Sequence, residues 1–322
     1  MLPFLAKIGS VIIPTQPIFW CLSYVIGLIV AMFLARRAGL PIRKVFNGLI
    51  VGVAAAEIGA RISAVFLLTR SEELRWFLDH PGHIFHFWES GYSFYGVIVF
   101  GSMVGVWYTL RSGLPVFRIG DLGIPCVALG YVIQNIGDFL GGAHPGSPTS
   151  LPWGVIYTHW TFAGMKGIPL HPVMLYIATI GLLGTITAWA WLQIRDHPGK
   201  KFLFSWFFYP AFRVLRLRFI DGELYFLGGA FYAIFRFFVE FSRDPRTLIW
   251  YPDFPLPQTQ MACLGIFIFC WGGYFILRAI RETERKGLPY RGWMKLCFQI
   301  AEGSRWLAKN IPWPVSGEGG RL

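Results

Sequence analysis

Two pairs of opposite charges stand where charge is expensive. Glu57 and Arg61 lie inside one long apolar run, and Arg236 and Glu240 lie inside another. Each pair is spaced i, i+4, so on a helix both members share a face and can pair. Ionisable side chains within apolar spans face a polar cavity or a partner, because hydrocarbon solvates them poorly. Two readings follow. Either the pairs neutralise themselves and tie helices together, or their arginines line a polar chamber for an anion. A guanidinium leans toward the second reading where the anion is a phosphate, since its planar fork matches phosphate oxygens.

Asp138 closes a further apolar run and opens a stretch rich in glycine and proline, GDFLGGAHPGSPTSLPWG, residues Gly137–Gly154. Irregular backbone at membrane depth is tolerated only where protein buries it or where it lines a water-filled cavity. Glycine also lets a backbone approach a ligand closely. Asp138, Gly142, His144 and Gly146 are therefore candidate wall residues of a site, and the competing reading is an outer surface loop. His171 stands at the start of the next apolar run, where a histidine caps a helix or assists chemistry. The five cysteines show no metal or redox spacing. Cys21, Cys126, Cys263 and Cys270 read as small apolar packing residues, and nothing calls for a metal or cofactor.

These residues need elements to hold them, and the composition says which kind. The chain has 322 residues, 55% hydrophobic and 14% charged, against about 45–50% and about 25% in soluble domains. Its apolar runs recur to the end, unlike a signal peptide followed by a soluble body. They are continuous over about 18–24 residues, as a helix needs to cross hydrocarbon, and they lack the short alternating segments of a membrane barrel. The sequence predicts an all-α membrane protein of about seven transmembrane helices, near Pro17–Leu34, Val45–Leu68, Gly91–Leu110, Ile119–Leu140, Pro172–Leu192, Leu224–Phe241 and Thr259–Leu277.

Orientation follows from the loops. Of 29 lysines and arginines, 21 fall on the side that holds the C-terminus, six on the other, and two within spans. Cytoplasmic loops carry the excess of positive charge, so the N-terminus is expected outside and the C-terminus in the cytoplasm. The net charge of +12 thus reads as topology, and nucleic acid is not an expected partner. Residues 201–219 mix aromatics with Arg213, Arg216 and Arg218, and the tail mixes Trp293, Trp306 and Trp313 with Lys295 and Arg305. Both suit the inner membrane surface, and a partner-binding role is the competing reading. The expected organisation is a membrane domain over 1–277, carrying the basic aromatic insertion 201–219, and a basic cytoplasmic tail over 278–322.

Several stretches, taken in order, resemble the prolipoprotein diacylglyceryl transferase family. They are GARISAVFLL (Gly59–Leu68), GYSFYG (Gly91–Gly96), Asp121 before IPCVALG, GDFLGGAHPGSPTSLPWGVIY from Gly137, LHPVMLY (Leu170–Tyr176) and FRFFVEFSRDP (Phe235–Pro245). The resemblance covers roughly residues 15–277. It implies a multi-pass protein of the bacterial inner membrane that moves diacylglyceryl from phosphatidylglycerol to the thiol of a lipobox cysteine in a preprolipoprotein. Glycerol phosphate leaves. It implies that Arg61 and Arg236 hold phosphate, with Glu240, Arg243, Asp138, Gly142 and Gly146 also in the substrate site. Tyr95 and Asn135 position the headgroup, and His171 assists.

The sequence also departs from the family pattern. Asn135 holds the place of an arginine, Tyr95 that of a histidine used in many members, and Trp20 that of a tyrosine. Gly141-Gly142-Ala143 replaces Asn-Gly-Glu, and Met174 and Ile177 replace Gln and Glu. A lost donor to a departing phosphate removes transition-state stabilisation. The expectation is activity far below that of a typical member, or none, and no rescue of a cell depleted of its own enzyme. Two functions stay open: a divergent transferase, and a catalytically degenerate paralogue serving as a lipid-binding or structural subunit of a membrane complex.

Overall fold

The computed structural model describes residues 2, 4–8, 11–67, 78–82, 94–157, 167–197, 210, 219–248 and 255–286. Seven long helices occupy these residues: α1 (Thr15–Arg37), α2 (Ile42–Ile62), α3 (Phe94–Arg111), α4 (Val116–Gly141), α5 (Val173–Asp196), α6 (Glu223–Val239) and α7 (Gln258–Arg285). Six are long and apolar enough to cross a membrane, and α3 is the shorter seventh. The seven expected spans each correspond to a helix, with ends shifted by a few residues. Prolines set several starts. Pro41, Pro115, Pro172 and Pro257 each stand immediately before a helix, where a residue without an N–H and with fixed φ leaves nothing unsatisfied.

Large apolar side chains cover the helix surfaces, including Val127 at 71% exposure and Ile268 at 69%. In water such a surface is an aggregation liability. In lipid it is the solvent-facing side of a helix whose backbone bonds are all internal.

The described chain falls into two compact units. The second, Ala35–Ile119, is built on α2 and α3. Their backbones meet through glycines. A Cβ on Gly96 would strike the Gly59 carbonyl, and one on Gly59 would strike Phe100. Small residues at helix contacts let dispersion act at short range, which matters where lipid removes the hydrophobic drive to associate. Arg61 lies on α2 at 2% exposure, and Glu57 is half-buried one turn earlier.

The first unit comprises Met1–Leu34 and Gly120–Leu288. Within it α4 touches three helices: Gly137 lies under Phe19 of α1, Gly181 of α5 rests on Val132, and Gly228 of α6 rests on Ile124. One end is clasped by Asp121, which is fully buried. Its carboxylate accepts from Arg195 Nη1 at 2.6 Å and from the Gly222 and Tyr225 backbone N–H groups at 2.9 and 2.8 Å. That joins α4, the end of α5 and the start of α6. Two short sheets were not foreseen from sequence. A hairpin pairs β1 (Phe4–Ile8) with β2 (Val11–Pro14), and β3 (Val155–Ile156) pairs with β4 (Pro169–Leu170).

One boundary corrects the sequence reading, at the last helix. The end of α4 does not: it falls at Gly141, one residue past the expected Leu140, and keeps Asp138 in the helix. Gly142, at φ 74°, then ends it. Its N–H bonds the Phe139 carbonyl, and the next N–H, of Ala143, bonds the Asp138 carbonyl. This left-handed cap satisfies the last carbonyls and favours glycine. The last helix was expected to stop near Leu277, yet α7 runs to Arg285. Ion pairs Arg281–Glu284 and Arg285–Glu282 sit along this extension, and such pairs support a helix beyond its apolar run. The aromatic insertion 201–219, apart from Pro210 and Phe219, and the tail beyond Lys286 lie outside the described residues.

Candidate functional site

Arg236 sits in the last turn of α6, and the helix tightens into a 3-10 turn at Glu240–Ser242. That tightening keeps Arg236, Glu240 and Arg243 on one side. Arg236 donates to Glu240, and Arg243 Nη1 lies 3.3 Å from the other carboxylate oxygen. All three are enclosed, with Glu240 at 1% exposure and Arg236 at 8%. The predicted i, i+4 pair is present, but it belongs to a group of three. Two guanidiniums share one carboxylate, so the cluster carries one surplus positive charge. A lone carboxylate in such surroundings would be costly, as would a lone guanidinium. The shared arrangement satisfies the acid while leaving charge for a monoanion.

His144 joins the cluster from the loop. Arg243 Nη2 and His144 Nδ1 are 3.0 Å apart. Arginine only donates, so Nδ1 accepts and the ring proton sits on Nε2. Desolvation, then the charges of Arg243 and Arg236, push His144 down to about 4. It is therefore neutral near pH 7. The residue holds φ at 51°, a left-handed conformation that histidine tolerates better than most.

Gly146 explains how the loop reaches Arg243. It forms an antiparallel bridge with Arg243. A Cβ there would strike the His171 backbone carbonyl and lie 2.8 Å from the Ser242 carbonyl. Beside it, the Ser147 N–H bonds the Ser242 carbonyl at 2.9 Å, and the His171 N–H bonds the Ser147 carbonyl at 3.0 Å. Three segments thus cross at a point where only glycine fits. Gly142 and Gly146, expected in the substrate site, serve here as a helix cap and a backbone crossing.

His171 lies just before α5. Its Nδ1 is 3.1 Å from the Tyr176 hydroxyl, which accepts from Trp153 Nε1 at 2.8 Å. The tyrosine oxygen keeps a second lone pair, so it can donate to His171 Nδ1 or accept from it, according to the ring's tautomer. On α4, Tyr131, Asn135 and Asp138 follow at spacings of four and three, so they share a face. Tyr131 reaches Tyr232 of α6, hydroxyl to hydroxyl at 3.3 Å. Asn135 is 3% exposed and donates to the Tyr131 carbonyl at 2.7 Å. Half of its amide is therefore committed to its own helix. Asp138, at 5% exposure, accepts from Gln16 Nε2 at 2.7 Å and Trp20 Nε1 at 3.4 Å.

The structure therefore gathers Arg236, Glu240, Arg243 and Gly146 with His171 and the α4 stripe in one unit. Arg61 belongs to the second unit, as does Tyr95, which is in α3 with its side chain outside the described residues. Sequence reasoning gave no role to Tyr131, Tyr232 or Gln16, and did not foresee that His144 joins Arg243. No spacing links His144 to a residue 99 positions later. Only the Gly146 crossing brings them together.

Comparison with known proteins is consistent with the resemblance seen in the motifs. A family model described as Prolipoprotein diacylglyceryl transferase matches residues 3–277. The chain is 28% identical over 260 residues to the Phosphatidylglycerol–prolipoprotein diacylglyceryl transferase of Geobacter sulfurreducens, covering 77% of this chain and 85% of that protein. To the protein of that name from Methylococcus capsulatus it is 29% identical over 264 residues, covering 80% and 89%. To that from Vibrio parahaemolyticus it is 28% identical over 280 residues, covering 84% and 90%.

Proposed function

The chain belongs to the prolipoprotein diacylglyceryl transferase family, and on that footing we propose that it transfers diacylglyceryl from phosphatidylglycerol to the cysteine thiol of a prolipoprotein. The observation that carries this reading is the buried cluster Arg236–Glu240–Arg243 with its single surplus positive charge. A phosphodiester carries one negative charge, and its oxygens gain more charge as the carbon–oxygen bond breaks. Fixed cations aimed at such charge act strongly in a water-poor site.

Arg236 holds the phosphate, and Arg243 and Glu240 keep it in place. Arg61, carried by the other unit, is a candidate phosphate ligand on the family resemblance alone. Asn135 retains one amide hydrogen and its carbonyl for the headgroup, and the family resemblance gives Tyr95 a headgroup role. Neutral His144 offers an Nε2 hydrogen to oxygen, and His171 assists beside Tyr176. The chain is a multi-pass membrane protein, and we place it in the bacterial inner membrane with the C-terminus cytoplasmic. Residues 201–219 and the tail lie on the inner surface. A reporter fused after Leu322 that is active only in the periplasm refutes this orientation.

The direct test uses the full chain in vesicles of phosphatidylglycerol with a lipobox peptide. The peptide is expected to gain the mass of a diacylglyceryl group while glycerol phosphate appears. With Asn135 in place of arginine, turnover is expected below that of a full-motif relative. Vesicles of phosphatidylethanolamine alone are expected to give no product. An unmodified peptide in phosphatidylglycerol, with the protein folded, defeats the reading.

A further inference from the structure

Diacylglyceryl transfer needs a thiolate, because a thiol is a weak nucleophile. Something in the chain must take that proton. Most candidates among the described residues are occupied. Glu240 is held between two arginines. His144 Nδ1 accepts from Arg243, and His171 Nδ1 faces the Tyr176 hydroxyl. Asp244 is paired with Arg246. Asp121 is paired with Arg195 and stands 17 residues from Asp138, about 25 Å along α4.

Asp138 differs from all of these. It is buried, and both donors that reach it, Gln16 Nε2 and Trp20 Nε1, converge on Oδ1. Among the described residues Oδ2 has no hydrogen-bond partner and the carboxylate has no cation. Two neutral donors on one oxygen fix the plane of the group and leave the other oxygen able to accept. The residue also stands on the α4 face that carries Tyr131, whose hydroxyl meets Tyr232 beside the arginine cluster. Tyr131 and Asp138 are seven residues apart, about 10 Å along the helix. One face of α4 therefore carries Tyr131, which reaches α6 beside the cations, then Asn135, then the acceptor Asp138.

We infer that Asp138 is the base that takes the proton from the incoming cysteine, held in orientation by Gln16 and Trp20. The inference rests on the transfer reaction proposed above. In the step, Asp138 Oδ2 accepts the S–H proton. Sulfur forms a bond to the glycerol carbon that bore the phosphate. The carbon–oxygen bond breaks with its electron pair on the phosphate oxygen, and glycerol phosphate departs. The proton then passes from Asp138 to that phosphate or to water, which restores the carboxylate.

The test compares two lipobox peptides, one with cysteine and one with selenocysteine, whose selenol is already ionised at neutral pH. Asp138→Asn keeps shape and polarity but removes the base. Against cysteine, kcat is expected to fall on the order of 10²–10⁴-fold. Against selenocysteine it is expected to stay within about threefold of the unaltered protein, with KM for phosphatidylglycerol unchanged for both. A loss of equal size on both peptides, or on neither, overturns the assignment. Trp20→Phe is the second variant should Asp138→Asn fail to fold. It keeps the carboxylate and removes one orienting donor, so a smaller loss confined to cysteine is expected, and an equal loss on both peptides overturns the role. No product from the unaltered chain on either peptide defeats the transfer reaction itself, and the role of Asp138 with it.

Discussion

Glu240→Gln destabilises the protein by about 3–5 kcal/mol, the usual cost of removing one partner from a buried ion pair. Among the described residues Glu240 is the only carboxylate placed against both Arg236 and Arg243, and it is 1% exposed. An amide keeps only one acceptor oxygen and cannot offset charge, so two enclosed guanidiniums are left to repel each other. The double variant Arg236→Gln with Glu240→Gln removes one of those charges together with the acid. It is expected to cost less than Glu240→Gln alone, because an unpaired buried charge is worse than a neutral pair. Unfolding in a mild detergent, followed by tryptophan fluorescence or by the soluble fraction after heating, measures both. A double variant at least as unstable as the single one shows that the acid is not the keystone of this cluster.

The same cluster shows where sequence reasoning ends. Arg236 and Glu240 were legible as a pair because helical spacing is local: four residues on a predicted span define a shared face. The helices themselves were legible because hydrocarbon accepts little else than a continuous apolar run of sufficient length. Arg243 joins the pair only because α6 tightens to a 3-10 turn at Glu240, and His144 only because Gly146 allows three segments to cross. Neither event leaves a periodicity. The glycines around the end of α4 divide for a related reason. Gly137 is a packing residue beneath Phe19, and the stop is Gly142. A glycine-rich stretch does not say which glycine caps a helix and which lets a neighbour approach.

Asn135 shows the limit from the other side. Its replacement of an arginine was read from the motif, and on that reading an active enzyme needs another cation to take over. The structure gives Asn135 a bond to its own helix and puts two arginines on a single acid at the end of α6 and in the turn after it. The requirement for positive charge could be stated from chemistry. How the surplus is held could not, since it depends on which acid is shared.

That surplus sets the largest expected effect on activity. Arg236→Gln lowers kcat for diacylglyceryl transfer on the order of 10²–10³-fold, the scale for loss of one fixed donor to developing negative charge. The fold is expected to survive, because Glu240 keeps Arg243 as its partner at 3.3 Å. The cluster then becomes neutral, and nothing remains in it to balance a phosphate monoanion. Arg236→Lys separates charge from shape. Lysine restores the positive charge but presents a point charge where the guanidinium presents a planar fork, so an intermediate rate is expected. Single-turnover transfer to a lipobox peptide in phosphatidylglycerol vesicles gives the rates, and a thermal melt confirms that each variant is folded. A folded Arg236→Gln protein within threefold of the unaltered rate would move the phosphate site away from α6, leaving the arginine pair as a purely structural tie.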